Sequence, residues 1–202
     1  MTDYFALLGV PRGPKVDGDL LKTNFHRLSH ALHPDHSGPS DEGALEAAST
    51  PFAEINAAYR CLQDTKDRLG HLIEIEFGHK ALSIHDIPDG IASVGAQVMM
   101  LCRGVDAFLG ACQKDPSPMV RARQFQDSMA WLSKCDALEG ALQPLQLQLE
   151  EELEQLSSAW KDPAGKNRDT KEATTLDRCY RLSSYLAKWT KQIKDRQLTL
   201  SL

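Results

Sequence analysis

Apolar residues recur at spacings of three and four along most of the 202-residue chain, and no β-rich alternating run stands out. A period near 3.6 places such residues on one stripe of a helix, whereas a half-buried strand needs a period of two. The chain is therefore expected to be all-α. Six Phe, four Tyr and three Trp are few for this length, so the core must rest on Leu, Ile, Val, Ala and Met.

Capping and breaking residues divide the helical pattern. Tyr4–Leu8 reads as a short helix closed by Gly9 and Pro11. Asp17 can cap a longer one running to about Leu32. On it, Leu21, Phe25, Leu28 and Leu32 share a stripe, while Lys22, His26, Ser29 and His33 share another face, with His30 nearby. Pro34 stops the helix, because the residue before a proline avoids the helical region. His36 to Ser49 is rich in Ser, Gly, Pro and acids and is expected to be a loop. Pro51 is expected at the first position of the next helix, where its missing N–H does no harm. Phe52, Ile55, Tyr59 and Leu62 form that helix's stripe. A basic turn from Lys66 to Arg68 should lead into a short helix with Leu69, Leu72 and Ile73, ended at Gly78.

Pro88, Gly90 and Gly95 mark a boundary over residues 80–95. Beyond it the pattern predicts helices over about Ala96–Gln113, Met119–Lys161 with a kink at Pro144, and Thr170–Gln197. Short connections between them imply a small bundle. The expected organisation is a helical hairpin domain over 1–79, a linker over 80–95 and a three-helix bundle over 96–202.

Several function classes are disfavoured. The net charge of −5 argues against a nucleic-acid binder, which needs a basic face. No apolar run is expected to reach the roughly 20 residues of a membrane span. The start MTDYFALLGVPRG lacks a basic opening with an apolar core and a small-residue cleavage site, so a cytoplasmic location without a membrane is expected. Cys61, Cys102, Cys112, Cys135 and Cys179 are odd in number and form no C-x-x-C pair, which suits reduced thiols. Cys61 and Cys102 read as small buried hydrophobes, and Trp131, Trp160 and Trp189 as bundle packing. No Gly-rich phosphate loop is present, and nothing near Ser29 and His33 supplies an oxyanion hole, so no enzyme and no cofactor are expected. His26 and His30 lie one helical turn apart and, with His33, could in principle hold a metal. No Cys or carboxylate nearby completes a familiar ligand set, so no metal is expected. Glu150, Glu151, Glu152 and Glu154 read as a solvated face.

The most specific feature is His33-Pro34-Asp35 between two amphipathic helices. Two such helices can pair as a hairpin with the tripeptide near its tip. Pro34 then fixes the direction of the chain, Asp35 offers a carboxylate to a partner's arginine, and His33 offers a ring donor or acceptor. This segment resembles the J-domain family over about Asp3 to Gly78. The residues that carry the resemblance are Asp3-Tyr4-Phe5, Leu7-Leu8-Gly9-Val10, Phe25, Leu28, His33-Pro34-Asp35, Phe52, Ile55-Asn56, Ala58-Tyr59, Leu62 and Arg68. The resemblance implies that His33, Pro34 and Asp35, with Lys22, His26, Arg27 and His30, dock on a DnaK/HscA-type heat-shock chaperone and accelerate its ATP hydrolysis. Leu32 stands where many J-domains have Tyr, and His26 and His30 stand where Lys or Arg are common. Docking is therefore expected to strengthen as those imidazoles take up protons.

Over the whole chain, an N-terminal J-domain, a short link and a C-terminal bundle look like the HscB-type (Jac-type) co-chaperones of iron–sulfur cluster assembly. That likeness implies an apolar patch on the first bundle helix that grips the cluster scaffold protein, at Val98, Met99, Met100 and Leu101. Four consecutive apolar residues cover more than half of a helix's circumference, so some must face outward. Cys102, Arg103 and Gly104 replace the acidic and Gln-rich surroundings of that family. A J-domain protein with a different client is the first alternative, and a metal-binding helical protein using His26, His30 and His33 the second.

Overall fold

The computed structural model describes residues 2–31, 42–78, 90–112, 117–160 and 170–201, with residues 42–50 and 170 as backbone only. Among the described residues there are seven helices and no strand: α1 (Tyr4–Leu8), α2 (Gly18–Ala31), α3 (Glu42–Gln63), α4 (Thr65–Phe77), α5 (Ala92–Ala111), α6 (Pro118–Ala159) and α7 (Thr170–Leu200). They form two compact units, one of residues 1–83 with 151–180 and one of residues 84–150 with 181–202. Residues 151–180, expected in the C-terminal segment, thus join the first unit.

In the first unit, α1 is fixed at both ends. Asp3 Oδ1 accepts from the N–H groups of Phe5 and Ala6 at 3.0 and 3.3 Å. Its other oxygen accepts from Arg12 Nε and Nη2 at 2.8 and 2.6 Å. Phe5 and Leu8 are fully buried. Asp17 caps α2 through Asp19 and Leu20 N–H at 2.9 and 3.1 Å, as its position predicts. Leu21 faces inward, and Phe25 stacks on Tyr59 of α3 with centroids 4.1 Å apart.

Two expectations for this unit are corrected. The segment from Glu42 is helical, and Pro51 lies inside α3 rather than at its start. Ala44, Leu45, Glu46, Ala47 and Ala48 are strong helix formers, and their summed propensity outweighs one missing N–H. Lys66–Arg68 is the first turn of α4, not a free basic turn. Asp64 alone separates the helices and caps α4 by accepting from Asp67 N–H at 2.9 Å. Arg68 is only 8% exposed. It donates to Pro14 O at 3.0 Å, Leu62 O at 2.8 Å and Thr65 Oγ1 at 3.2 Å. Leu62 O belongs to the last turn of α3, where carbonyls lack an intrahelical partner. The guanidinium thus closes a helix end. Gly78 ends α4 with φ +69°, a left-handed conformation that costs a residue with a Cβ.

The end of α6 and the start of α7 complete this unit. Leu153, Leu156, Leu176 and Cys179 are buried. The Tyr180 ring lies against Gly70, where a Cβ would come within 3.2 Å of Tyr180 Cε2. Lys15 pairs with Glu154. Glu152, read from sequence as part of a solvated run, instead accepts from Arg178 Nη2 at 2.9 Å and from the Cys179 thiol at 3.6 Å.

The second unit packs α5 with the first part of α6 and the last part of α7. Val105, Cys135, Leu142 and Ile193 are fully buried in it. Helix α5 starts at Ala92, four residues before its expected start, and takes in Gly95. Gly95 is a packing position: a Cβ there would sit 2.7 Å from Trp189 Cζ2. Gly104, nine residues along the same helix, leaves its missing side chain's space to the Trp131 ring. By length and composition α5 is apolar enough to cross a membrane, contrary to the expectation of no such run. It carries Arg103 and Asp106, however, and Asp106 accepts from Arg196 of α7 at 2.8 Å. Pro144 lies inside α6.

Candidate functional site

Helix α2 turns Leu21 toward α3 and leaves Lys22, His26, Arg27 and His30 exposed. The i, i+4, i+8 spacing of Lys22, His26 and His30 puts these three on one face, and Arg27 lies next to it. The Phe25 ring, stacked on Tyr59, is 5.6 Å from the ring of His26. His33, Pro34 and Asp35 lie outside the described residues, a few positions past the end of α2 at Ala31.

The base of this domain holds a group that the sequence reading did not single out. His71 of α4 is buried. Its Nε2 accepts from the N–H of Tyr4 at 3.1 Å, which places the proton of the neutral ring on Nδ1. The ring stacks on Tyr4 at 4.3 Å and on Phe5 at 5.9 Å. Burial pushes the His71 pKa down, partly offset by Asp3 and Glu74. The available signal was a histidine set between Leu69, Leu72 and Ile73 on the inner stripe of α4.

The four residues expected to hold a client divide in two. Val98 is 1% exposed and Leu101 8%, both turned into the second unit, while Met99 is 52% exposed and Met100 66%. Met100 borders a groove of about 460 Å³ between α5 and α6. Among the described residues no cluster of three or more His, Cys, Asp or Glu is placed to hold a metal, and all five cysteines are free thiols. Cys102 is buried, as read, while Cys61 is half-buried and its thiol donates to Asp67 O at 3.5 Å.

Residues 3–70 match the family of the DnaJ domain. The match takes in α1, α2, α3 and the start of α4, about a third of the chain. An HscB co-chaperone homolog of Vibrio cholerae serotype O1 is 34% identical over 74 residues, which are 37% of this chain and 43% of that one. The alignment thus spans less than half of that relative. A chaperone protein DnaJ of Acidiphilium cryptum is 40% identical over 80 residues, 40% of this chain and 18% of that one. The sequence matches thus take in relatives of both names, and the whole-chain likeness is one of fold. HscB from Vibrio cholerae superposes with a TM-score of 0.58 at 22% identity, over 98% of this chain and 99% of that one. The human co-chaperone protein HscB gives 0.62 at 15% identity, over 98% and 84%. The chain has the all-helical fold of the HscB proteins.

Proposed function

We propose that the chain is a co-chaperone whose J-domain docks on a DnaK/HscA-type heat-shock chaperone and accelerates that partner's ATP hydrolysis. The observation that carries this reading is a DnaJ domain over residues 3–70 that encloses His33-Pro34-Asp35 just beyond α2. The exposed side of α2 carries Lys22, His26, Arg27 and His30. Fixed cations on an exposed helix steer an acidic partner and set its orientation more than they add affinity. The carboxylate of Asp35 then meets a partner arginine. The chain itself breaks no bond; its effect is on the partner's active site.

The second half of the proposal is delivery of a client, the iron–sulfur cluster scaffold protein, to that chaperone. Met99 and Met100 make the contact on α5, and the buried Val98 and Leu101 hold them in place. A J-domain protein for a different client is the second reading, favoured by Cys102, Arg103 and Gly104 where acidic and Gln-rich surroundings are expected.

The test is His33→Gln in a single-turnover ATPase assay with a DnaK/HscA-type chaperone. Stimulation should be lost while helicity and melting are unchanged. Full stimulation by the variant removes the docking reading. Pull-down of the scaffold by wild type, weakened by Met99→Ala with Met100→Ala, tests delivery.

A further inference from the structure

We infer that the groove between α5 and α6 seats an apolar side chain of the client that is flanked by a carboxylate. The inference rests on the delivery reading above and adds the chemistry of what is held. Gln97, Met100 and Leu101 line the groove from α5, and Trp131, Lys134 and Leu138 line it from α6.

Two features make this a shaped recess rather than a gap between helices. Trp131 lies against the backbone of α5 because Gly104 has no side chain there. A flat, rigid ring thus forms part of the wall. Met100, 66% exposed, borders the opening with a flexible thioether that packs against irregular apolar shapes. Met99 lies about 100° round the helix from Met100 and is outside the groove lining.

Charge selects the occupant. Among the described residues lining the groove, Lys134 carries the one charge, and its Nζ sits 4.1 Å from the centroid of the Trp131 ring. In a chain of net charge −5, this is a local positive spot on an apolar surface. An ammonium resting over an aromatic face is held in place there and meets an incoming carboxylate in a charge-assisted pair. The Gln97 amide adds a second polar group at the rim. The groove therefore suits an apolar side chain followed by Asp or Glu. It does not suit a basic or phosphate-seeking segment.

The experiment titrates the full ¹⁵N-labelled chain with the scaffold protein and follows the three Trp indole N–H signals, assigned with Trp131→Phe. The Trp131 signal should shift while that of Trp189, buried on α7, stays. Lys134→Glu should weaken binding about tenfold, and Lys134→Arg should keep it within about twofold. Lys134 is exposed, so neither change threatens the fold. If the scaffold binds wild type but the Trp131 signal stays and Lys134→Glu binds equally well, the groove is not the seat and delivery survives. If wild type binds no scaffold, the delivery reading and the groove both fall.

Discussion

The N–H of Tyr4 is held by Nε2 of His71, a residue 67 positions away in sequence, at 3.1 Å. This one bond ties α1 to α4. It exists only while Nε2 carries no proton, because an imidazolium has two donors and no acceptor. Burial already favours that neutral form and pushes the His71 pKa below its ordinary value of 6.5.

Stability should therefore depend on pH with a definite sign. In the unfolded chain His71 takes up a proton near 6.5, while in the fold it resists until the pH is lower. Between those values the unfolded state binds more protons, so stability rises with pH. The contribution is complete above about 6.5 and is lost as the pH falls through the folded value. Urea unfolding at pH 7.5, 6.5 and 5.5 checks this. His71→Gln, which keeps an acceptor and does not titrate, should flatten the dependence. An unchanged slope in the variant would show that other groups set it.

Arg68 is a second single-residue tie. Its truncation to Ala leaves the carbonyls of Pro14 and Leu62 buried without the donors they have at 3.0 and 2.8 Å. Each such loss costs about 1–3 kcal/mol. Arg68→Ala should lower unfolding stability by about 3 kcal/mol, and Arg68→Lys should recover only part, since an ammonium cannot span the same fork. A loss under about 1 kcal/mol, near the cost of an ordinary surface substitution, would contradict the account.

The glycines of the second unit separate packing from propensity. Gly104→Ala drives a methyl into the Trp131 ring, and Gly95→Ala one into Trp189. Each should destabilise by about 1–3 kcal/mol through overpacking. Gly140 of α6 has nothing within 4 Å of a Cβ built there. Gly140→Ala should stabilise by about 0.5–1 kcal/mol from helix propensity alone. Thermal melts of the three variants give the comparison; a common sign for all three refutes it.

Two thiols should be inert in the folded state. Burial, with the Glu152 carboxylate beside it, pushes Cys179 up to about 12. Burial, with Asp67 and Asp64, pushes Cys61 up to about 11. The thiolate is the nucleophile, so at pH 8.5 Cys179 should alkylate about a thousandfold slower in the fold than in urea. Mass spectrometry of iodoacetamide-treated protein reads each site. Equal rates in both conditions would contradict the burial of this thiol.

The readable and unreadable parts of the sequence follow from what each signal depends on. Caps act locally, so Tyr4–Leu8, the Asp17 start and the Gly78 stop were all legible. Pro51 and Gly95 misled for the same reason. Each carries a local breaking signal that a longer-range term overrides, helix propensity on one side of Pro51 and the approach of Trp189 at Gly95. Arg68 read as part of a basic turn because its charge was visible and its three acceptors, brought together by folding, were not. In the candidate site, helical periodicity put Lys22 and His26 on one outer face with His30 nearby, and all three are exposed. Along Val98 to Leu101 it required that some residues face out. Val98 and Leu101 turned in with Cys102 and Val105 on one stripe, which left Met99 and Met100 outside.

The membership of residues 151–180 in the first unit has a practical bearing on dissection. A fragment stopped after Gly78 would keep every residue matched to the DnaJ domain. It would also strip Tyr180 from Gly70 and Glu154 from Lys15. Such a piece bares a flank that the 202-residue chain shields, so sluggish behaviour in it would report the cut rather than the tripeptide. Swapping this module into another host calls for two joins, one on each side of the returning hairpin.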